Sequence, residues 1–188
     1  MSRFEDAERA FDAVHVLDPR GDAGVDYHQR VAEWVDRLAP DAGEALRLAA
    51  RAQHIGRWRI PRDSFPAGRA GYLKWRVEQG RAHAEEAGAL LEQVGYDKAV
   101  VTRVAELLRK RRLRDDPEVQ TLEDAACLVF LETQLSAFAP TQDPGKLGDI
   151  LRKTWAKMSE AGHAAALEVV GGLPEPLRAT VEAALADA

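Results

Sequence analysis

The sequence predicts an all-α fold. Apolar residues recur at helical spacing along the chain, whereas the alternating pattern typical of half-buried strands does not recur. Turn and cap signals separate segments of helical length. The chain has 188 residues, of which 46% are hydrophobic and 30% charged, and this suits one soluble domain with a sizeable core or one domain plus a short appendage. We therefore expect about seven or eight helices.

The cap and turn signals place these helices in order. The turn-rich stretch DPRGDAGVD follows the first helix, and Pro40 ends the second. Asp41 is expected to cap the third helix, with Glu44 as its capping-box partner. Gly95 stops a long fourth helix, and the stretch DDP, which ends at Pro117, restarts the chain after the fifth. The expected helices cover residues 4–17, 26–38, 41–56, 66–94, 98–112, 117–138, 149–170 and 175–185.

Composition and charge narrow the class of protein. The net charge is −5, so any site for an anion has to be a local cluster of basic residues. The single cysteine, Cys127, excludes an internal disulfide and fits a reducing compartment. The stretch MSRFEDAERA lacks the basic-then-apolar pattern of a signal peptide, and the apolar run AACLVFL is too short to cross a bilayer. We expect a cytoplasmic protein without a membrane segment.

Several polar side chains lie at positions that helical spacing turns toward the core. A buried carboxylate or imidazole is costly unless it is paired, hydrogen-bonded or bound to a metal. Two histidines and one carboxylate are also good ligands for a first-row divalent ion. Side chains from four helices that converge would therefore form a site. The inward positions are His28, Gln53, His54, His83 and Asp124.

These residues also have structural interpretations. An inward histidine is more often a hydrogen-bonded core residue than a ligand. Asp124 stands three positions after Thr121, as in a capping box, although a helix that starts at DDP would leave Asp124 in its middle. Cys127 fits as a small core residue. His15 and His163 match no such constellation and are interpreted as structural.

Four stretches of the chain occur in the order known from one superfamily. They are YHQRVAEWVDRLA, RLAARAQHIGRW, HAEEAGALLEQVGY and LEDAACLVFLE. This order resembles the HD-domain superfamily of metal-dependent helical phosphohydrolases. The combination of QHIGRWRIPR, FPAGRAGYLKWR and LEDAACLVFLE is similar to a domain of unknown function, DUF4202. The resemblance implies a single HD-like helical domain over residues 1–188, with a core at about 25–140 and a C-terminal helical extension at about 145–188.

The chain departs from the superfamily at its His-Asp doublet. Gln53 stands at the histidine position and His54 at the aspartate position, so the usual bridging carboxylate is missing. The resemblance then implies a single divalent ion, with Mn, Fe, Co, Ni and Zn as candidates. Three roles are open for His83: a fourth metal ligand, a residue that contacts the metal ligands, or a catalytic residue that contacts the substrate. Glu86, one turn later, is a candidate base. The candidate ligands are His28, His54, His83 and Asp124.

A dense basic segment follows His54. Its arginines are mixed with prolines and aromatic residues, and the planar guanidinium matches phosphate oxygens while the rings can stack on a base. The alternative is a solvated basic face. A second basic run, RKRRLR, is better explained by the favourable position of cations at a helix end. The candidate phosphate-binding residues are Gln53, Arg57, Arg59, Arg62, Arg69, Lys74 and Arg76.

Three functions fit these features. The leading interpretation is an enzyme, a metal-dependent phosphohydrolase that acts on a phosphorylated small molecule, above all a nucleotide. The altered doublet and the basic runs favour, as the second, a nucleotide- or RNA-binding module with a degenerate site. The third is a non-haem iron oxygenase, because two histidines and a carboxylate resemble the facial triad. The helices after about Gly145 cover the core or form the face of a homodimer.

Overall fold

The computed structural model describes residues 2–19 and 21–186. These residues form helices and no β-strand, so the all-α prediction is confirmed. The chain divides into two compact units between Leu122 and Glu123. None of the described helices combines the length and the apolar character that crossing a bilayer requires. The helices are α1 (Arg3–His15), α2 (Asp22–Leu38), α3 (Glu44–Arg51), α4 (Gly68–Val94), α5 (Lys98–Arg109), α6 (Pro117–Val129), α7 (Leu135–Phe138), α8 (Pro144–Trp155), α9 (Glu160–Gly171) and α10 (Glu175–Ala186).

The core of the first unit lies where five helices meet. α3 packs against α1, α2 and α5, and α4 packs against α1 and α5. The apolar faces bury Phe11, Val35, Leu48, Leu91 and Leu107 completely. Each such side chain contributes about 1.5–3 kcal/mol to stability when it leaves water. This core fixes α1 to α5, which position the polar residues considered below.

Two predicted helix boundaries are confirmed. α4 ends before Gly95, whose φ of 92° lies in the left-handed region that favours glycine. α6 begins at Pro117, and the carboxylate of Asp116 accepts hydrogen bonds from the first backbone N–H groups of the helix at 3.1 and 3.3 Å. Asp124 therefore lies in the middle of α6, and the capping box that starts at Thr121 is excluded.

The beginnings of α2 and α3 differ from the prediction. α2 starts at Asp22 rather than Asp26, because Gly21, with φ at 65°, turns the chain directly into the helix. No capping box forms between Asp41 and Glu44, because α3 starts at Glu44 itself. The Glu44 carboxylate instead accepts a hydrogen bond from the Tyr96 hydroxyl at 2.5 Å. A hydrogen bond to a residue distant in sequence thus forms in place of the predicted local capping box.

The third helix is shorter than predicted. α3 ends at Arg51 rather than near Gly56, so Gln53 and His54 lie in a turn and not on a helix. Two 3₁₀ turns, Arg57–Arg59 and Arg62–Ser64, follow before α4. α4 itself begins at Gly68 rather than Pro66, and α5 ends at Arg109 rather than Arg112. The segment between α3 and α4, residues 52–67, is termed the strapped loop. It is held by contacts with other segments of the chain.

One face of α4 binds the strapped loop. Trp75, Gln79 and His83 follow at intervals of four residues and so lie on the same side of the helix. Each donates a ring or amide N–H to a backbone carbonyl of the loop. Backbone carbonyls outside the α-helices need hydrogen-bond donors, and these side chains supply them. The bonds run from Trp75 Nε1 to Ile60 O at 2.9 Å, from Gln79 Nε2 to Ile60 O at 2.8 Å and Arg57 O at 2.9 Å, and from His83 Nδ1 to Ile55 O at 2.6 Å.

The second unit is built around α10. Both α8 and α9 pack against α10, and α9 also packs against a π-helical turn, Phe130–Gln134. Cys127 is a buried core residue there, as predicted. The single helix predicted over 149–170 is wrong, because the chain breaks before Ser159. The Ser159 hydroxyl accepts a hydrogen bond from the Gly162 N–H at 3.1 Å and so caps α9 as a separate helix.

Candidate functional site: a histidine cluster

Four of the five histidines of the chain lie together in the first unit, beside Tyr27. The rings of His15 and His28 stack with their centroids 3.3 Å apart. The Tyr27 ring meets His28 edge-on and stacks on His54, with 5.2 Å between centroids in each pair. The rings of His54 and His83 are 5.7 Å apart. These four histidines are termed the histidine cluster.

Helical spacing places two members of the cluster. His28 lies on the buried stripe of α2 with Val31 and Val35, as predicted. His15, interpreted from sequence as structural without a partner, is also a member. It follows Phe11 by four residues on the buried face of α1. The same spacing argument that identified His28 would have identified His15.

His15 and His83 are hydrogen-bonded in the same way. Nε2 of His15 donates to the carbonyl of Arg51 at 2.8 Å, and Nδ1 of His83 donates to that of Ile55 at 2.6 Å. Because a carbonyl only accepts, the other ring nitrogen of each imidazole carries a lone pair. Both of those nitrogens are buried without a hydrogen-bond partner in the described structure. Burial lowers the pKa of each histidine to about 4, so both are neutral near pH 7.

His54 has an unusual backbone conformation. Its φ is 63°, in the left-handed region, and the carbonyl of His54 accepts a hydrogen bond from the Arg57 N–H at 3.1 Å. This conformation costs a residue with a Cβ about 1–2 kcal/mol, and such strain is concentrated at functional sites. His54 is partly exposed, whereas His28 and His83 are buried. Burial of the imidazole, followed by the positive charge of Arg57, lowers the pKa of His54 well below its ordinary value.

The strain at His54 can be measured with two substitutions that both remove the ring. His54→Gly is expected to be more stable than His54→Ala by about 1 kcal/mol, because glycine adopts a positive φ without a Cβ penalty. Urea unfolding of both variants gives the difference. His28, in the middle of α2, provides the control, since there His28→Gly should be less stable than His28→Ala by about 1 kcal/mol. The same order at both positions would show that His54 is not held in a left-handed turn.

Three arginines of the strapped loop contact neighbouring groups of the protein. The guanidinium of Arg57 lies 4.6 Å from the ring centroid of Trp75. Nη1 of Arg59 donates to the Glu86 carboxylate at 2.5 Å. Arg62 donates to three backbone carbonyls at 3.0, 3.1 and 3.4 Å. Arg62 therefore stabilises the loop, and Glu86, a candidate base, is ion-paired with Arg59.

The other candidate phosphate contacts lie in two different environments. Arg69, Lys74 and Arg76 are exposed on the N-terminal half of α4. Gln53 is 1% exposed, as its predicted inward position requires, and its Nε2 has no hydrogen-bond partner among the described groups. A buried amide donor without a partner is costly, by about 1–3 kcal/mol. Gln53 is therefore an interior residue, whereas Arg69, Lys74 and Arg76 lie on an exposed face of α4, and phosphate binding by these residues stays a prediction.

Asp124 lies in the second unit, where its carboxylate binds the start of α9. Oδ1 accepts a hydrogen bond from the Ser159 N–H at 3.0 Å, and Oδ2 accepts one from the Ser159 hydroxyl at 2.5 Å. Gly162 leaves room for this carboxylate, since a Cβ there would lie 2.7 Å from Asp124 Cγ. The inward position of Asp124 is confirmed by its 2% exposure. Its contacts give it a structural role at this helix start.

The histidine cluster provides part of a metal site. In His15 and His83, one nitrogen donates to a carbonyl and leaves the other with a lone pair, as is typical of metal-bound histidine. However, within residues 2–19 and 21–186 no three His, Cys, Asp or Glu side chains are placed to hold one ion. Metal binding by His28, His54, His83 and Asp124 stays a prediction.

Comparison with known proteins identifies the family and leaves the activity open. Neither the curated proteins nor the solved structures include a match to this chain. The model of one family, described as a domain of unknown function (DUF4202), matches residues 5–181. That range includes the whole histidine cluster and the strapped loop. The chain therefore belongs to the DUF4202 family.

Proposed function

We propose that this protein hydrolyses the phosphate ester of a small molecule, a nucleotide above all, at the histidine cluster. The observation that carries the proposal is His54, a neutral imidazole in a strained turn of the basic strapped loop, beside the buried ring of His83. Strain of this kind persists when the surrounding structure enforces it. The resemblance to the HD-domain phosphohydrolases, with its single HD-like domain, supports the same class of reaction.

The residues divide the chemistry as follows. When its ring does not bind an ion, His54 can accept the proton of the attacking water, because its imidazole is neutral near pH 7 and the residue is partly exposed. The buried His83 orients the loop through its bond to Ile55. Arg57, three residues after His54, neutralises charge that develops on the phosphate. Glu86 serves as a base only after its ion pair with Arg59 opens.

A divalent ion and a cytoplasmic location complete the proposal as predictions. When bound, an ion such as Mn²⁺ or Zn²⁺ would polarise a phosphate oxygen and lower the pKa of water. The lone-pair nitrogen of His83 supports an imidazole ligand there. Elemental analysis of the purified protein would identify the ion, and the same preparation would show by its mass in solution whether the chain is a homodimer.

Phosphate release tests the proposed reaction. The purified full chain is incubated with a panel of phosphate monoesters and nucleotides, with chelator or with each candidate ion. His54→Asn removes the imidazole while asparagine tolerates the left-handed turn, and we expect it to lower kcat/KM at least about 100-fold. The matched control is His163→Asn in the second unit, where the lost imidazole stacks on Trp155, and it should change the rate less than about twofold. Absence of release under every condition would reject the proposal.

The second candidate is a nucleotide- or RNA-binding module without turnover. It is favoured by the basic residues exposed on α4. Binding that weakens steeply with salt, without release of phosphate, would select it. An iron oxygenase needs two histidines and a carboxylate on one ion. Iron in the purified protein together with oxygen uptake would select that third function.

A further inference from the structure

We propose that Lys110, together with Arg57, binds the phosphate group of the ligand at the histidine cluster. Lys110 belongs to the basic run that sequence analysis attributes to a helix end. In the structure it ends α5 with φ at 49°, and Arg112, two residues later, has φ at 59°. The run therefore forms a left-handed turn and does not continue the helix.

Close packing of two helices brings this turn to the cluster. Gly80 of α4 faces the end of α5, where a Cβ on Gly80 would lie 3.5 Å from the Arg109 Cα and 3.7 Å from the Leu108 carbonyl oxygen. His83 lies one helical turn after Gly80 on α4. Lys110 follows Arg109 directly, so the approach at Gly80 brings the backbone at the end of α5 to the part of α4 that carries His83. The charge of Lys110 accordingly lowers the pKa of both histidines.

Arg57, in the strapped loop, is the second cation beside the histidine cluster. Gln79 binds its carbonyl at 2.9 Å, and Trp75 lies against its guanidinium with 4.6 Å to the ring centroid. The charge of Arg57 also lowers the pKa of His54 and His83. Two cations on separate segments thus act on the same pair of imidazoles, which are neutral themselves. Such an arrangement attracts an anion.

The chemistry of the four side chains specifies a phosphate. Arginine presents a planar fork to two oxygens, and lysine adds a point charge, which together match a group with several oxygens and two negative charges. Nε2 of His83 is a buried acceptor without a partner in the described structure, with 4% of the residue exposed. When no metal ion occupies this nitrogen, a protonated phosphate oxygen or the water of the reaction supplies the missing donor.

Inorganic phosphate tests this site without turnover. The full chain is titrated with phosphate by calorimetry at low ionic strength, and Lys110→Gln is expected to weaken the affinity about tenfold. Arg112→Gln is the matched control, because it removes the same charge from a left-handed residue of the same turn. It should change the affinity less than about twofold. Lys110→Arg keeps the charge and should retain affinity within about threefold, which separates a lost contact from a folding defect.

The outcomes separate this inference from the proposed function on which it rests. If Lys110→Gln and Arg112→Gln weaken phosphate binding equally, or if neither does, the assignment of Lys110 is overturned. Failure of the unmodified chain to bind phosphate also overturns it. Phosphate binding that depends on Lys110, without hydrolysis of any ester, supports the anion site and rejects the hydrolase. Hydrolysis with an unchanged KM in Lys110→Gln rejects the anion site and supports the hydrolase.

Discussion

Acidification from about pH 7 to about pH 4 is expected to lower the free energy of unfolding of this protein by several kcal/mol. Burial lowers the pKa of both His15 and His83 from 6.5 to about 4 in the folded state. Above the unfolded pKa both states are neutral and the stability is fully present. As the pH falls from 6.5 toward 4, only the unfolded state binds protons, so stability is lost. The shifts correspond to about 3 kcal/mol for each histidine.

The pH range over which stability is lost identifies the titrating groups that cause the loss. Asp116, which is hydrogen-bonded to Arg103, has its pKa lowered from 3.8 to about 2, so its contribution is lost only at lower pH. Between pH 6.5 and 4 the buried imidazoles therefore dominate this loss. The pKa of His54 is lowered as well, mainly by burial and then by Arg57, and adds in the same direction. Free energies from urea unfolding at closely spaced pH values give the slope.

Two variants test whether the histidine cluster causes the dependence of stability on pH. His83→Gln keeps an N–H donor for the Ile55 carbonyl but removes the titrating ring, so the loss of stability on acidification should become smaller. His163→Gln in the second unit removes a histidine whose ring is hydrogen-bonded to Trp155, and it should leave the slope of the first unit unchanged. A wild-type stability that stays constant down to about pH 4.5 would contradict the burial of neutral imidazoles.

Two glycines of α4 are expected to respond in opposite directions to the same substitution. A Cβ on Gly71 would lie 1.8 Å from the backbone oxygen of Pro66, whereas the nearest atom to a Cβ on Gly80 is 3.5 Å away. The backbone at Pro66 cannot move without losing its bond to Arg62, which steadies the strapped loop. Gly71→Ala should therefore cost about 3 kcal/mol. Gly80→Ala should stabilise the protein by up to about 1 kcal/mol, because alanine favours the helix.

Urea unfolding of the two alanine variants measures both effects. The tryptophan fluorescence of the folded Gly71→Ala protein should also change, because Trp58 and Trp75 lie on and against the strapped loop. Gly80→Ala should leave that signal unchanged. Equal stability of the two variants would mean that the loop does not approach the first turns of α4 closely.

Sequence periodicity was sufficient to predict the all-α class and most of the inward polar positions, although not every helix boundary. The apolar spacing around His28 and His83 predicted their burial, and both are buried. Local signals also located the end of α4 at Gly95 and the start of α6 at Pro117. These features depend on neighbours a few residues away, and such neighbours are visible in one sequence.

The tertiary structure decided what the inward residues contact. His54 lies outside its predicted helix because α4 binds the carbonyls of the strapped loop. The Arg62 side chain donates to carbonyls of that loop. His15 joined the cluster by stacking on His28, and Asp124 bound the Ser159 backbone. Each contact links groups that are distant in sequence or in an irregular turn. Periodicity gives the direction of a side chain from its helix but not the partner that it meets, and only packing selects that partner.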